Sequence, residues 1–371
     1  MAVSTDQRID SRILRFAHTD QSLCWFTLLP DRTGIFCRNQ SSSKYSVLNP
    51  DTLVAKQNLS VDNSWIRKPV SRNLPDGGAC FIIPGFETVE INSVLGGRRT
   101  VLIELIWSRG TTTAYVKTSS VDFKRSEVTT INQLELPVSN SIENWSFDLM
   151  KDNGCKDHFF CIFYWQKYRK TALSLARVSV TSKSGDVKCE AIANERLVGE
   201  CGWSTGGAFI TGGNVYLLND GGKIDRMLQH SFDGTRTTLL TLKSYLGEYP
   251  FDGYTIQSWF EDCFIAFFRP NNMPGRVWAL DVAACQWLDL GVIIADHLPC
   301  GHNKLEISKE GKAYLLAMCA SRCSEKAHVY TFNIKYRLAD ARAKIRIELP
   351  PPASAAAPPP YSSDEVESTR F

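Results

Sequence analysis

The sequence predicts an all-β protein that forms a single β-propeller of six blades, with seven blades as the alternative count. Strand-like hydrophobic runs occur in pairs, and the last pairs recur at intervals of about 50 residues. Amphipathic helical periods between the runs are missing, which argues against an α/β fold. Four short strands in each repeat of this length are typical of a propeller blade. An irregular pair of β-sandwiches or two barrels remain the alternatives.

The composition indicates a folded chain with a large core. Of 371 residues, 43% are hydrophobic, 11% aromatic and 22% charged, which excludes a disordered chain, a collagen-like fibre and a disulfide miniprotein. The 24 glycines and frequent Val, Ile and Thr favour strands. The formal net charge of +3 does not indicate a nucleic-acid partner. A positive cluster at Lys335, Arg337, Arg342, Lys344 and Arg346 is interpreted as a solvated strand and loop, with contact to an acidic surface as the alternative.

Six pairs of hydrophobic runs each predict a β-hairpin, which supplies two strands of one blade. The pairs are 33–38 with 44–50, 100–107 with 113–118, 158–165 with 173–180, 213–219 with 226–232, 262–268 with 275–281, and 311–318 with 327–333. Glycine and aspartate at the junctions favour tight turns. Further strand-like runs precede some pairs (24–29, 79–83, 145–150, 206–211 and 304–308) and follow others (52–59, 187–193, 236–242 and 285–290).

A propeller must also close its ring, and two segments could supply the closing strand. Residues 11–16 form an unpaired strand candidate before the first blade, and residues 343–349 could instead form the outer strand of the last blade. Either choice removes an exposed sheet edge. Helical content is plausible only at 339–344. The predicted domain therefore spans residues 11–349, between a disordered N-terminus (1–10) and a disordered tail (350–371).

Two stretches carry a resemblance to a known kind of repeat. Residues 277–290 (VWALDVAACQWLDL) and 45–59 (YSVLNPDTLVAKQNL) share an aromatic or hydrophobic strand, an Asp or Asn, a turn, and a Trp or Leu. This pattern resembles that of kelch-type propellers, loosely over residues 20–335. Kelch repeats usually end the second strand of each blade with two glycines, and the Gly-Gly pairs of this chain do not fall there regularly. The resemblance implies a propeller of that general kind and leaves its usual binding face unassigned.

The tail contains the sharpest local motif. It is rich in proline and alanine, so it is expected to be extended and to lack a core. Within it Pro358, Pro359, Pro360 and Tyr361 resemble the PPxY ligand of WW domains, which bind a preformed polyproline turn. The resemblance implies a partner that contains a WW domain. A solvated spacer with a chance tyrosine is the alternative interpretation.

No residue is assigned to catalysis, to a cofactor or to a metal. The chain lacks a P-loop. The zinc-like spacing of His297, Cys300, His302, Cys319 and Cys323 is interpreted as chance placement on loops. The 12 cysteines include several within apolar runs without paired spacing, so buried free thiols are expected.

The sequence analysis therefore favours a non-enzymatic scaffold or adaptor for protein interactions. We expect the propeller to bind a protein partner, the tail to recruit a WW-domain protein, and the chain to be a monomer without nucleic-acid or membrane partners. The N-terminus lacks the continuous apolar core of a secretory signal, and no run is long enough to span a bilayer, so a cytoplasmic location is expected, with the nucleus as the alternative. The alternative function is a propeller enzyme or a carbohydrate-binding protein with a site in the central channel.

Overall fold

A computed structural model describes most of the predicted domain. The described residues are 11–15, 23–29, 34–39, 45–49, 54–61, 81–92, 97–108, 114–136, 145–151, 158–167, 170–181, 184, 187–200, 203–219, 222–251, 254–269, 275–293, 303–318 and 326–348. Within these ranges the chain forms 25 strands, a 3₁₀ turn at Tyr245–Gly247 and one α-helix.

The strands group into six blades around a central axis. The chain begins with β1 (Ser11–Arg15), which belongs to the last blade. Blade 1 contains β2 (Leu23–Leu28), β3 (Ile35–Asn39), β4 (Tyr45–Leu48) and β5 (Ala55–Val61); blade 2 contains β6 (Phe81–Asn92), β7 (Arg98–Ser108), β8 (Ala114–Asp122) and β9 (Glu127–Glu135). Blade 3 contains β10 (Trp145–Lys151), β11 (His158–Lys167), β12 (Lys170–Val180) and β13 (Val187–Glu200); blade 4 contains β14 (Trp203–Thr211), β15 (Asn214–Asn219), β16 (Arg226–Ser231) and β17 (Thr237–Thr241).

Blades 5 and 6 contain elements in addition to four consecutive strands. After the short β18 (Lys243–Ser244), blade 5 contains β19 (Tyr254–Phe260), β20 (Cys263–Arg269), β21 (Gly275–Asp281) and β22 (Gln286–Ile293). Blade 6 contains β23 (Asn303–Ile307), β24 (Lys312–Met318) and β25 (Lys326–Asn333), followed by the helix α1 (Ile334–Glu348), and takes β1 as its fourth strand. Over the described residues the predicted single six-bladed propeller is confirmed.

The first strand of each blade lies at the centre, and these inner strands form a closed ring. β2 contacts β6, β6 contacts β10, β10 contacts β14, β14 contacts β19, β19 contacts β23, and β23 returns to β2. Each predicted hairpin provides the second and third strands of one blade, as its alternating pattern indicated. The sequence analysis did not name β9 or β19, which complete blades 2 and 5.

The N-terminal strand closes the ring. β1 pairs antiparallel with β25, from Ser11 opposite Tyr330 to Arg15 opposite Lys326. The first of the two predicted closures is therefore correct, and the alternative strand at 343–349 is wrong, because that segment lies largely in α1. The physical reason is a helical period. Ile334, Leu338, Ala341 and Ile345 recur every three or four residues and pack on the core between blades 5 and 6.

Two blade junctions share one hydrogen-bonded turn. Ser126 and Cys285 both have a positive φ (58° and 51°), and each precedes the outer strand of its blade. Their carbonyl oxygens accept the amides of Ser60 and Lys243 from the preceding blade, both at 2.8 Å. Short parallel pairings follow, of β5 with β9 and of β18 with β22. These junctions tie blade 1 to blade 2 and blade 4 to blade 5.

The cysteines whose side chains the structure describes agree with the prediction of free thiols. Cys37 and Cys263 are buried, Cys285 is partly buried, and all three are free. Burial raises the pKa of the Cys37 thiol far above its usual range and that of Cys263 to about 12. Both therefore remain protonated and act as small hydrophobic residues. No described helix combines the length and the apolar character needed to cross a membrane.

Deleting residues 1–17 should destabilise the whole propeller, because the deletion removes β1 and exposes the edge of β25. We expect the free energy of unfolding to fall by roughly 3 kcal/mol or more, since each ladder hydrogen bond contributes about 0.5–1.5 kcal/mol. Chemical denaturation of the full chain and of the deletion variant measures this difference. A deletion of residues 1–9 is the matched control, since the described pairing begins at Ser11. An unchanged stability after the longer deletion would contradict this closure.

The docking of α1 provides a second stability test at Gly311. This residue has a φ of +84°, and a Cβ there would lie 2.7 Å from Lys335 Cβ and 3.0 Å from its amide nitrogen. Gly311→Ala should lower the free energy of unfolding by about 2–4 kcal/mol, from backbone strain plus overpacking. Gly97→Ala is the control, because Gly97 has a φ of +96° with open space around it. The control should lose only about 1–2 kcal/mol; equal losses would show that the contact with α1 is unimportant.

Candidate active site

Charged side chains from two blades meet around one ammonium group. The Lys304 Nζ of β23 lies 2.8 Å from Glu87 Oε1 of β6 and 2.9 Å from Glu306 Oε1 of β23. The hydroxyl of Thr27, on β2, donates to Glu87 Oε2 at 3.2 Å. We call Thr27, Glu87, Lys304 and Glu306 the channel cluster. It joins the inner strands of blades 1, 2 and 6.

The contacts place this cluster in the central channel. Leu305 and Ile307 of β23 pack on the core between blades 5 and 6, so the alternating Lys304 and Glu306 lie on the opposite side of the strand. Blade 1 stands between blade 6 and blade 2. The ion pair of Lys304 with Glu87 therefore crosses from blade 6 to blade 2 in front of blade 1. It lies on the side of blade 1 that faces the propeller axis, where the inner strands surround the channel.

The inner strand β6 is irregularly paired just before Glu87. An inner strand has one paired edge and one edge that faces the axis, so it tolerates a proline and irregular pairing. The segment around Pro84 shows this, because the register of β6 and β7 shifts between Ile82 and Gly85. Beyond the shift, Val89 packs in the core between blades 2 and 3, while Glu87 contacts blades 1 and 6.

Burial and charge adjust the proton affinities in the channel cluster. The side chains of Lys304, Glu87 and Glu306 are 27%, 23% and 17% exposed. Burial raises the pKa of Glu306 and the Glu87 charge raises it further, which outweighs the opposing effect of Lys304. Burial lowers the pKa of Lys304, but Glu306 and Glu87 outweigh it, so the net shift is upward. The cluster thus places a carboxyl group with a raised pKa beside a second carboxyl group and an ammonium group whose pKa is also raised.

The separation of the two carboxyl groups is short. Because one ammonium contacts both, Glu87 Oε1 and Glu306 Oε1 can be no farther apart than the two Lys304 distances laid end to end. Retaining glycosidases hold their two catalytic carboxyl groups about 5–5.5 Å apart, whereas inverting enzymes use about 6.5–9.5 Å. This upper limit lies below the range of the inverting enzymes. A carboxyl group with a raised pKa next to a second carboxylate is also a pattern typical of acid–base sites.

A second buried ionic group lies between blades 1 and 2. Glu104 of β7 is fully buried and contacts Arg38 Nη1 at 2.5 Å, the Tyr45 hydroxyl at 2.7 Å and Lys117 Nζ at 3.6 Å. Burial and the negative Glu104 raise the pKa of Tyr45, against the opposing charge of Arg38. Glu104 lies directly opposite Phe86, the neighbour of Glu87. This group therefore fixes the junction that carries two members of the channel cluster.

The structure does not reach several residues singled out from the sequence. Pro358, Pro359, Pro360 and Tyr361 lie outside the described residues, so the WW-domain partner stays a prediction. The candidate metal ligands at positions 297, 300, 302, 319 and 323 lie outside them as well. Among the residues that are described, no group of three or more His, Cys, Asp or Glu side chains is arranged to hold a metal ion.

The positive cluster near the C-terminus is helical and is used inside the molecule. Arg337 donates to the carbonyl oxygen of Leu290 at 2.8 Å, and Arg342 contacts Asp262 at 3.0 Å. Lys344 pairs with Asp340 one turn earlier, at 2.9 Å. The interpretation as a strand and loop is therefore wrong. Arg337 and Arg342 hold α1 against blade 5, whereas Lys344 pairs within the helix.

The sequence analysis missed the channel cluster and the group around Glu104. The available signal was a charged residue inside an apolar strand, as in TVLIELIW for Glu104, FETVEI for Glu87 and KLEIS for Lys304 and Glu306. Charged residues are rarely buried unless they are paired. The signal identifies such positions singly, but it does not show that residues from blades 1, 2 and 6 meet.

Comparisons with known proteins were made for sequence and for fold. No protein-family model matches the chain, and no curated protein matches its sequence. Among solved structures, it is similar to an α-L-arabinofuranosidase from Fusarium graminearum bound to an iminosugar inhibitor, with a TM-score of 0.50 and 8% identity over 85% of this chain and 94% of that chain. At this identity the likeness concerns the fold.

Two further solved structures have lower TM-scores. An α-L-arabinanase from Penicillium chrysogenum, complexed with arabinobiose, has a TM-score of 0.47 and 9% identity over 85% of this chain and 95% of that chain. A sialidase from Trypanosoma rangeli has a TM-score of 0.48 and 11% identity, and the match covers 88% of this chain but 55% of the sialidase. The present chain thus spans little more than half of the sialidase.

These comparisons correct the function predicted from the sequence. We predicted a kelch-like, non-enzymatic interaction scaffold, but the solved structure with a TM-score of 0.50 is an α-L-arabinofuranosidase and not a kelch protein. The scaffold prediction and the kelch assignment are wrong. Within residues 277–290 this pattern contains a turn in which Asp281 accepts the Ala284 amide at 3.0 Å. Such a turn follows from local hydrogen bonding and carries no information about a partner.

Glu104→Gln should destabilise the protein strongly, because it removes the buried negative charge that Arg38 and Lys117 contact. We expect a loss of about 3–5 kcal/mol in the free energy of unfolding, measured by chemical denaturation. Glu90→Gln is the matched control, since Glu90 pairs on the surface with Arg98, whose side chain is 75% exposed. The control should change stability by less than about 1 kcal/mol. Equal effects of the two substitutions would show that the buried group does not hold the junction.

Proposed function

We propose that the protein is a carbohydrate-active enzyme that hydrolyses glycosidic bonds in the central channel of the propeller. The observation that carries this proposal is the pair of carboxyl groups, Glu87 and Glu306, held at short separation by Lys304. The raised pKa of Glu306 suits a proton donor. The shared fold with the Fusarium graminearum α-L-arabinofuranosidase supports the class of reaction and suggests a first substrate.

The two carboxyl groups have different roles in this proposal. Glu306 donates its proton to the glycosidic oxygen, while the Glu87 carboxylate attacks the anomeric carbon, so that the bond to the leaving sugar breaks and a glycosyl ester forms. In the second step Glu306 takes a proton from water, and the oxygen of that water displaces Glu87 from the anomeric carbon. The net reaction adds one water across the bond. Lys304 and Thr27 orient the carboxyl groups.

Hydrolysis of 4-nitrophenyl glycosides tests the proposal, beginning with the α-L-arabinofuranoside and extending to the common pentosides and hexosides. Wild-type protein should release nitrophenol from at least one of them. Glu306→Gln and Glu87→Gln should each lower kcat by roughly 100-fold or more, since positioned acid–base groups contribute about 10²–10⁴-fold. Glu90→Gln, on the same strand but on the surface, is the control and should keep full activity.

The pH profile provides the second part of the test. Glu306 must be protonated to act as the acid, so activity should fall as the pH rises through its raised pKa. For the residual activity of Glu306→Gln, this decrease on the alkaline side should be absent. No hydrolysis of any glycoside by the wild type, or full activity in both glutamine variants, would refute the proposal.

A further inference from the structure

One buried hydroxyl group lies beside both carboxyl groups of the channel cluster. Thr27, on the inner strand β2, is 1% exposed, and its Oγ1 donates to Glu87 Oε2 at 3.2 Å. The same hydroxyl hydrogen bonds with Glu306 and lowers the pKa of that carboxyl group, against the larger upward effect of burial. Lys304 contacts the other oxygen of Glu87 and Oε1 of Glu306. The two carboxyl groups therefore share a hydroxyl group as well as an ammonium group.

Two hydrogen bonds fix the position of the Thr27 oxygen between blades 1 and 2. Thr27 of β2 donates to Glu87 of β6, and the next residue of β6, Thr88, donates to the carbonyl oxygen of Leu28 on β2 at 3.1 Å. The bonds run in opposite directions between neighbouring residues, and both threonines are buried. With its oxygen held in this way, Thr27 can still turn its hydroxyl hydrogen about the bond from carbon to oxygen.

The direction of the Thr27 hydroxyl depends on which carboxyl group is charged. A hydroxyl has one proton to donate, and a hydrogen bond to a carboxylate is stronger than one to a neutral group. When Glu306 is protonated, the charged acceptor is Glu87, in agreement with the 3.2 Å contact. In the proposed reaction the charge changes place, because Glu87 becomes a neutral ester while Glu306 gives up its proton.

We infer that Thr27 is a positioning residue whose hydroxyl donates to whichever of the two carboxyl groups is charged. It turns from Glu87 to Glu306 when the glycosyl ester forms, and it turns back when water releases the ester. The proton stays on Thr27 throughout, so no covalent bond of this residue forms or breaks. The inference rests on the proposed function for the two charge states, and it gives blade 1 a part in both of them.

The other groups around Glu306 are unchanged by a substitution at Thr27. Among the described side chains, Glu306 contacts Lys304 of its own strand, which also contacts Glu87 of β6. Tyr314 lies opposite Glu306 on β24, with the Lys312 ammonium 5.1 Å from the centre of its ring. A change in the pKa of Glu306 in Thr27 variants therefore reports the loss of the hydroxyl.

The pKa of Glu306 tests the inference without any catalysis. It is measured on the full chain by carboxyl ¹³C NMR during a pH titration, with the signal assigned by its loss in Glu306→Gln. The background is Glu87→Gln, because a neutral amide stands in for the neutral ester. Adding Thr27→Val removes the hydroxyl and should raise the pKa of Glu306 by roughly one pH unit, since the carboxylate loses a hydrogen bond.

Two further variants separate the hydroxyl from the packing of the strands. Thr27→Ser keeps a hydroxyl and should leave the pKa of Glu306 unchanged in the same background. Thr88→Val is the matched control, because it removes the second hydrogen bond between β2 and β6, whose acceptor is a backbone carbonyl and not a carboxyl group. It should also leave the pKa unchanged. Thr27→Ala provides a second variant without the hydroxyl and should raise the pKa as Thr27→Val does.

The charge of Glu87 gives a further measurement. When Glu87 is present and ionised, it competes for the single hydroxyl proton, so Thr27→Val should raise the pKa of Glu306 less than it does in the Glu87→Gln background. An equal rise in both backgrounds would show that the hydroxyl does not follow the charge, and this result would overturn the inference.

The remaining outcomes separate this inference from the proposed function. An unchanged pKa of Glu306 in Thr27→Val, or an equal rise in Thr88→Val, would overturn the inference even if the protein hydrolyses glycosides. A rise that depends on the hydroxyl and is larger with Glu87→Gln would support the inference. If the same protein hydrolyses no glycoside, the proposed function is refuted while the assigned behaviour of Thr27 stands.

Discussion

The pairing of β1 with β25 is the interaction on which the rest of the structure depends. Each blade buries its two hydrophobic faces only against its neighbours, so an open arc would leave two faces exposed. The ladder from Ser11 to Arg15 completes blade 6, and β23 of that blade contacts β2 as well as β19. Closure also assembles the channel cluster, because Lys304 and Glu306 come from blade 6 while Glu87 comes from blade 2. Closure of the ring is thus required both for the stability of the propeller and for the assembly of the candidate active site.

Charge inside the ring is concentrated around the junction of blades 1 and 2. Desolvating an ion pair costs free energy that a well-packed apolar pair does not, so such pairs are weak evidence for stability alone. Here the fully buried Glu104 connects Arg38 and Tyr45 of blade 1 with Lys117 of blade 2. The same junction presents Thr27 and Glu87 to the channel. The buried charges define how these two blades meet, and therefore where the Glu87 carboxylate lies.

Much of the fold could be predicted from the sequence because strand alternation and turn residues are local properties. The six hairpins and the closing strand followed from such patterns, whereas α1 was misjudged because its charged residues obscured the spacing of Ile334, Leu338 and Ala341. The candidate site could not be predicted, since Thr27, Glu87 and Lys304 are far apart in the chain and meet only after closure. Its only local signal was a charge within an apolar strand.

The closing pair also sets the order in which the ring can be completed during synthesis. β1 leaves the ribosome before every other described strand, yet its partner β25 is among the last to be made. Blades 1 to 5 can form their local hairpins while translation continues, since hairpins need only nearby residues. During that time β1 remains unpaired, so its backbone can form non-native pairs with other strands. Completion of the disc therefore has to wait until β25 has been made, and β1 stays open to aggregation until then.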